Sequence, residues 1–311
     1  TSLSYDGGES FATTNPSNGN NEGAVRAAYL TNDALYLASD HILSIEKDGV
    51  QTRVEIHSNA VIDPTTTNIH ASGDTLYVTT PTSLLISRDQ GNTYTQTEFG
   101  DISISDVHSS GNTVCLATLN GLLISLDGGY SFSNKTAGNG LASNIINNVY
   151  INEGTIYAAT DLGISISTDG GNVFTSRTTD HGLANNSVLT IYADGANVYA
   201  LTTSGLSVSD NGGAAFSTRT TSDGLAGDIV TAVYAQDDRV YFATTEGISI
   251  SLDGGNTFSN NSTVYGWVGD LHADGNTIFA STTNGIFVST DVGASFTKAN
   301  TDTGLAYRGK F

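Results

Sequence analysis

The chain is 311 residues long and carries 31 acidic against 11 basic residues, a formal net charge of −20; such a surface repels a phosphate backbone or an anionic membrane, so nucleic acid is excluded as a natural partner. Thirty-five glycines, three prolines, no methionine and abundant Thr, Ser and Asn describe many short strands joined by tight turns, and no segment of convincing length has a helical period. No apolar run approaches the roughly 20 residues that span a bilayer, which excludes membrane insertion by a helix; the one cysteine, Cys115, has no disulfide partner and, standing where other repeats carry Tyr or Phe, reads as a buried inert thiol.

In chain order, residues 1 to 15 predict a hairpin around Ser4-Tyr5-Asp6-Gly7-Gly8, ending in Phe11. Seven units of four short strands then begin near residues 24, 64, 102, 145, 187, 229 and 266, at spacings of about 40 residues. The clearest unit runs from Ser187 to Ala193, turns at Asp194-Gly195, continues over Asn197 to Thr202, then Leu206 to Ser209, and after Asn211-Gly212-Gly213 ends in a strand from Ala215 to Thr220. Residues 301 to 311 begin a partial repeat, with Gly304-Leu305-Ala306 echoing Gly182-Leu183-Ala184.

The turn before each fourth strand recurs with an aspartate two residues after a serine: Asp6, Asp89, Asp127, Asp169, Asp253 and Asp291, with Asn211 in that place once and a decayed copy at Ser44 to Gly49. The spacing has a physical reason. A carboxylate at the start of a tight turn accepts hydrogen bonds from amides the turn leaves unpaired, glycine supplies positive φ, and the closing aromatic tucks back into the sheet.

This pattern resembles the Asp-box (BNR) repeat of sialidases, some glycoside hydrolases, sortilin-like receptors and many bacterial propellers, and segments such as Tyr192-Ala193-Asp194-Gly195 are similar to two-component-regulator propellers. The resemblance covers nearly the whole chain and implies an all-β fold: one β-propeller over residues 1–311, of four-stranded antiparallel blades. Seven blades are favoured, with the terminal hairpin outside the ring; the alternative is eight, both termini sharing an incomplete blade whose unpaired edges invite another chain.

First strands of propeller blades line the central channel. They carry Tyr29, His70, His108, Tyr150, Tyr192, Tyr234 and His272 at one equivalent position, and Asn68, Asp106, Asn148 and Asp270 two residues earlier, on the same face. Convergence of His70, His108, His272, Asp106 and Asp270 would suit a metal, whereas a packing position that tolerates His explains the series without one. Trp267 near the channel mouth reads as core or as a sugar-stacking platform. The polar connections, including Asp180-His181-Gly182 and Ser222-Asp223-Gly224, read as solvated turns or as a ligand-binding rim. No cofactor is implied; a cation such as calcium is compatible with these residues but not indicated.

The enzyme reading is the weaker one. The Arg-Ile-Pro segment that opens sialidase chains is absent, Arg177 and Arg219 recur at equivalent positions as repeat decoration, and no phosphate loop, Ser-His-Asp order or Cys-His cluster is present. An acidic pair of the Asp-box glycosidase type is the alternative. Together with low lysine and no methionine, these features predict a non-catalytic extracellular or cell-surface propeller, binding a carbohydrate, a surface protein or, through its terminal strands, copies of itself.

Overall fold

The computed structural model describes residues 68–236, 238–265, 268–282 and 284–298 and, ahead of these, the strand backbones at 2–3, 12–13, 27–30, 34–38, 42–47 and 50–55. The described strands form seven four-stranded antiparallel sheets and one two-stranded ladder. The four-stranded sheets run from Ala27–Leu30 to Val50–Glu55, Asn68–Ser72 to Thr95–Glu98, Ile104–Ser110 to Ser133–Lys135, Ile146–Asn152 to Thr175–Arg177, Val188–Asp194 to Ser217–Arg219, Val230–Gln236 to Ser259–Asn261, and Val268–Asp274 to Thr297–Lys298. In each, spatial order follows chain order. Ser2–Leu3 pairs with Ala12–Thr13 in the segment read as a terminal hairpin; residues 301–311 lie outside the described residues. The chain divides into two compact units, one of residues 19–177 and 187–191, the other of residues 1–18, 178–186 and 192–311.

Burial follows strand position. Third strands such as Gly121–Ser125, Gly163–Ser167 and Gly247–Ser251 are buried at every residue, whereas the fourth strand Thr95–Glu98 is exposed throughout. Alternation in Gly163–Ser167 places Ile164 and Ile166 on one face and Ser165 and Ser167 on the other. The apolar face packs: Leu122, Ile124, Ile146, Val149, Ile156 and Phe174 belong to one core cluster shared by two successive sheets. The serine face is buried because its hydroxyls are bonded, Ser165 Oγ accepting from Ala142 N at 2.8 Å and Ser167 Oγ accepting from Gly171 N at 2.9 Å.

Threonine closes the turn between second and third strands in every repeat from 113 onward: Thr118, Thr160, Thr202, Thr244 and Thr282 each donate Oγ1 to the carbonyl three residues on. Cys115 is fully buried among these strands, and burial pushes its thiol far above the ordinary cysteine range. Fourth strands start later than the residue pattern suggests. In the unit at 188–219 the last strand is Ser217–Arg219, because Asn211 Oδ1 still holds the amide of Ala215 in the turn, at 3.0 Å.

Candidate functional site

The aspartate turns have one geometry. Asp127 Oδ1 accepts from Ser125 Oγ at 2.7 Å, Tyr130 N at 3.0 Å and Ser131 N at 2.9 Å, while Oδ2 accepts from Ser131 Oγ at 2.6 Å. Asp89, Asp253 and Asp291 repeat the pattern with Thr93, Thr257 and Ser295, and these hydroxyl bonds first among several hold each carboxyl down at about 2. Asp169 is lowered chiefly by Ser167, since Val173 offers no hydroxyl. The second glycine of the turn has a positive φ that L side chains rarely adopt; at Gly171, with φ +85°, an added Cβ would also lie 2.3 Å from Ile124 Cδ1 of the preceding sheet and displace that methyl. Asp6 lies outside the described residues.

The inner strands bring three predicted residues together. The His70 and His108 ring centroids are 4.3 Å apart, and His108 to Tyr150 is again 4.3 Å. Two residues before His108 on the same strand, Asp106, 7% exposed, receives Asn68 Nδ2 on Oδ1, and Asn148 Nδ2 at 2.6 Å and Val149 N at 3.0 Å on Oδ2. Burial pushes Asp106 up to about 7, against the hydrogen bonds from Val149, Val107, Asn148 and Asn68 that favour its ionised form. Burial likewise pulls His70 down to about 4, the bond to Ser109 opposing, and takes His108 well below the ordinary value with help from His70.

Each of these groups is tied to the backbone of the next sheet. Asn148 Oδ1 accepts from Ile191 N at 2.9 Å, His108 Nδ1 accepts from Ile151 N at 3.3 Å, His70 Nε2 meets Ser109 O at 3.0 Å, and Tyr192 donates to Ala235 O at 3.0 Å. Ladder register shifts between Ile104 and Asp106, Ile146 and Asn148, and Val230 and Ala232. The bulged residue re-aims its side chain at the neighbouring sheet: Ser105 Oγ donates to Ile146 O at 2.8 Å, Asn147 Nδ2 to Val188 O at 2.7 Å, and Thr231 Oγ1 to Val268 O at 2.6 Å. Among the described residues no three His, Cys, Asp or Glu side chains are placed to hold a metal ion. Asp270 and His272 stand on Val268–Asp274, but their side chains, like all of Trp267, lie outside the described residues.

Asp180 and His181 fall in a short 3-10 turn, Thr179–His181, that the residue pattern does not reveal. His181 Nδ1 accepts from Thr178 N at 3.2 Å and its carbonyl accepts from Phe216 N at 2.8 Å, so the connection braces the aromatic that closes the Asn211 turn of the next sheet. The same 3-10 turn recurs at Ala137–Asn139 and Thr221–Asp223. The arginines are similarly occupied. Arg88 donates to Gly128 O at 2.7 Å and stands 4.2 Å from the Tyr130 ring centre; Arg219 Nε donates to Gly255 O at 3.1 Å; Arg239 donates to Asn276 Oδ1 at 3.2 Å.

No family model and no curated protein matches the sequence. Among solved structures, the chain is similar to the computationally designed protein Ika8 at 11% identity, covering 87% of this chain and 84% of that one with a TM-score of 0.66. It is similar to YCF48 from Cyanidioschyzon merolae at 17% identity over 83% and 92%, TM-score 0.61, a protein also solved bound to a D1 peptide. It is similar to PorZ, a bacterial surface component of the type-IX secretion system of Porphyromonas gingivalis, at 14% identity over 93% of this chain but 40% of that one, TM-score 0.65. The fold is a β-propeller. The seven four-stranded sheets among the described residues are blades, and described inner-strand side chains such as Asn148 and Tyr192 bond one blade to the next.

Proposed function

We propose that this chain is a non-catalytic binding propeller of the Asp-box type, acting outside the cell or at its surface, and that its partner is a protein presenting basic and apolar groups. One contrast carries the reading. The polar groups suited to chemistry, Asp106, His70, His108, His181 and the described arginines, are engaged with the chain's own backbone and side chains, while large apolar side chains stand in solvent at the blade ends. Leu119, Ile145, Leu162 and Leu189 are exposed in one unit, and a 2.7 Å bond from Gly121 N to Asn144 O sets the turn bearing Leu119 against the segment bearing Ile145. A net charge of −20 selects for a cationic partner. The peptide held by YCF48, a protein of similar fold, is support by analogy of architecture alone.

An array of basic and acidic amphipathic peptides, probed with the full chain, tests this. Basic peptides are expected to capture the protein, less so as salt rises; capture by neither set, or sugar release from a panel of glycosides, contradicts it. Light scattering at rising protein concentration separates the remaining reading, since polymers would assign the terminal strands to self-assembly.

A further inference from the structure

The turn at residues 209–216 departs from the other described turns at three places. Asp210 stands where they have Arg88, Leu126, Thr168, Leu252 and Thr290; Asn211 replaces the aspartate; and Ala215 stands where Thr93, Ser131, Thr257 and Ser295 each give a hydroxyl to the second carboxylate oxygen at 2.6 Å and where the Asp169 turn has the bulkier Val173. All three departures line one cleft of ≈ 160 Å³, completed by Ser217, Arg219 and, from the next blade's turn, Asn256.

The substitutions are complementary. Asn211 Oδ1 keeps its bonds from Ser209 Oγ at 2.8 Å and Ala215 N at 3.0 Å, so its Nδ2 takes the place of the second carboxylate oxygen, turning an acceptor into a donor. Ala215 removes the hydroxyl that would have faced it, which opens the space. The carboxylate has moved one residue back, to exposed Asp210. Arg219 is fixed by bonds to Gly255 O at 3.1 Å, Thr218 O at 3.2 Å and Asn256 Oδ1 at 3.4 Å, with N–H groups of its five to spare. Val208 and buried Phe216 supply an apolar wall.

We propose that this cleft binds one neutral sugar residue, such as the terminal unit of a glycan. Fixed donors beside an acceptor and an apolar wall match ring hydroxyls beside C–H faces. The volume is well below the roughly 300–1,000 Å³ of sites for drug-sized ligands, which admits one ring and not an oligosaccharide. Asp210 and the overall negative charge disfavour an anion. The site is independent of the protein partner proposed above.

The test is titration of the isotope-labelled full chain with glucose, galactose, mannose and N-acetylglucosamine, read by NMR at the side-chain amides of Asn211 and Asn256 and the backbone amide of Ser217. At least one sugar is expected to give saturable shifts at millimolar concentration. The double variant Asn211→Asp, Ala215→Thr restores the repeat and fills the cleft; it is expected to melt no lower than the parent and to bind at least about tenfold more weakly. Absence of saturable shifts with all four sugars, equal shifts in the restored variant, or stronger shifts with glycine or inorganic sulfate would overturn the proposal.

Discussion

Ser125 is 1% exposed, and its hydroxyl both donates to Asp127 and accepts from Gly129 N at 2.8 Å. Ser125→Ala leaves that buried amide without its acceptor and is expected to cost about 1–3 kcal/mol in urea unfolding. Acid acts on the inner strands in two opposed ways. His70, at about 4, and His108, well below 6.5, stay neutral in the fold but protonate in the unfolded chain near 6.5, so they withdraw stability as pH falls from 6.5 towards 4. Asp106, raised from 3.8 to about 7, binds its proton more readily folded than unfolded and withdraws stability as pH rises through 4 to 7. Two groups outweigh one, so the thermal midpoint should rise from pH 4 to 6.5. Removing the opposing group with Asp106→Asn should steepen that rise; an unchanged profile in the variant would show that Asp106 does not titrate there.

At the scale of the element, the blades and their turns were legible in the residues because the aspartate turn is local: serine, aspartate, glycine and aromatic all lie within eight residues and find one another. The ties between blades were not, since Ser105, Asn147 and Thr231 bond carbonyls about 40 residues away, and a period of two gives the face a side chain takes without giving its partner. The same limit hid Ser207 and Ser249, which anchor Ala184 N and Ala226 N. It also hid the cap that His181 Nδ1 makes on its own turn by accepting from Thr178 N. The Gly-Leu-Ala echo marks these connections more truly than their polar residues do: Leu141, Leu183 and Leu225 are buried. Gly182, at φ +91°, leaves no room for a methyl group, whose carbon would lie 1.9 Å from Phe216 O. Gly182→Ala is therefore expected to lower the thermal midpoint more than Gly195→Ala, whose added carbon meets nothing within 4 Å at φ +54°.

For the whole molecule, composition and charge point the same way as the geometry. An acidic surface of net charge −20 accelerates encounter with a cationic partner, and salt shortens its reach to about 10 Å at 0.1 M. Association with a basic peptide should thus slow on going from low to moderate salt while dissociation changes little. On the proposed function the scaffold and the binding surface are separable: buried polar groups bond one sheet to the next, and the exposed apolar groups at the blade ends would meet the partner. Paired measurement of urea unfolding and basic-peptide capture in two variants tests that separation most directly. Asp106→Ala is predicted to lose on the order of 3 kcal/mol of stability with capture retained under folding conditions, and Leu162→Asp to lose capture with unfolding unchanged. Capture abolished in folded Asp106→Ala and untouched in Leu162→Asp would contradict the account, placing the working site on the inner strands.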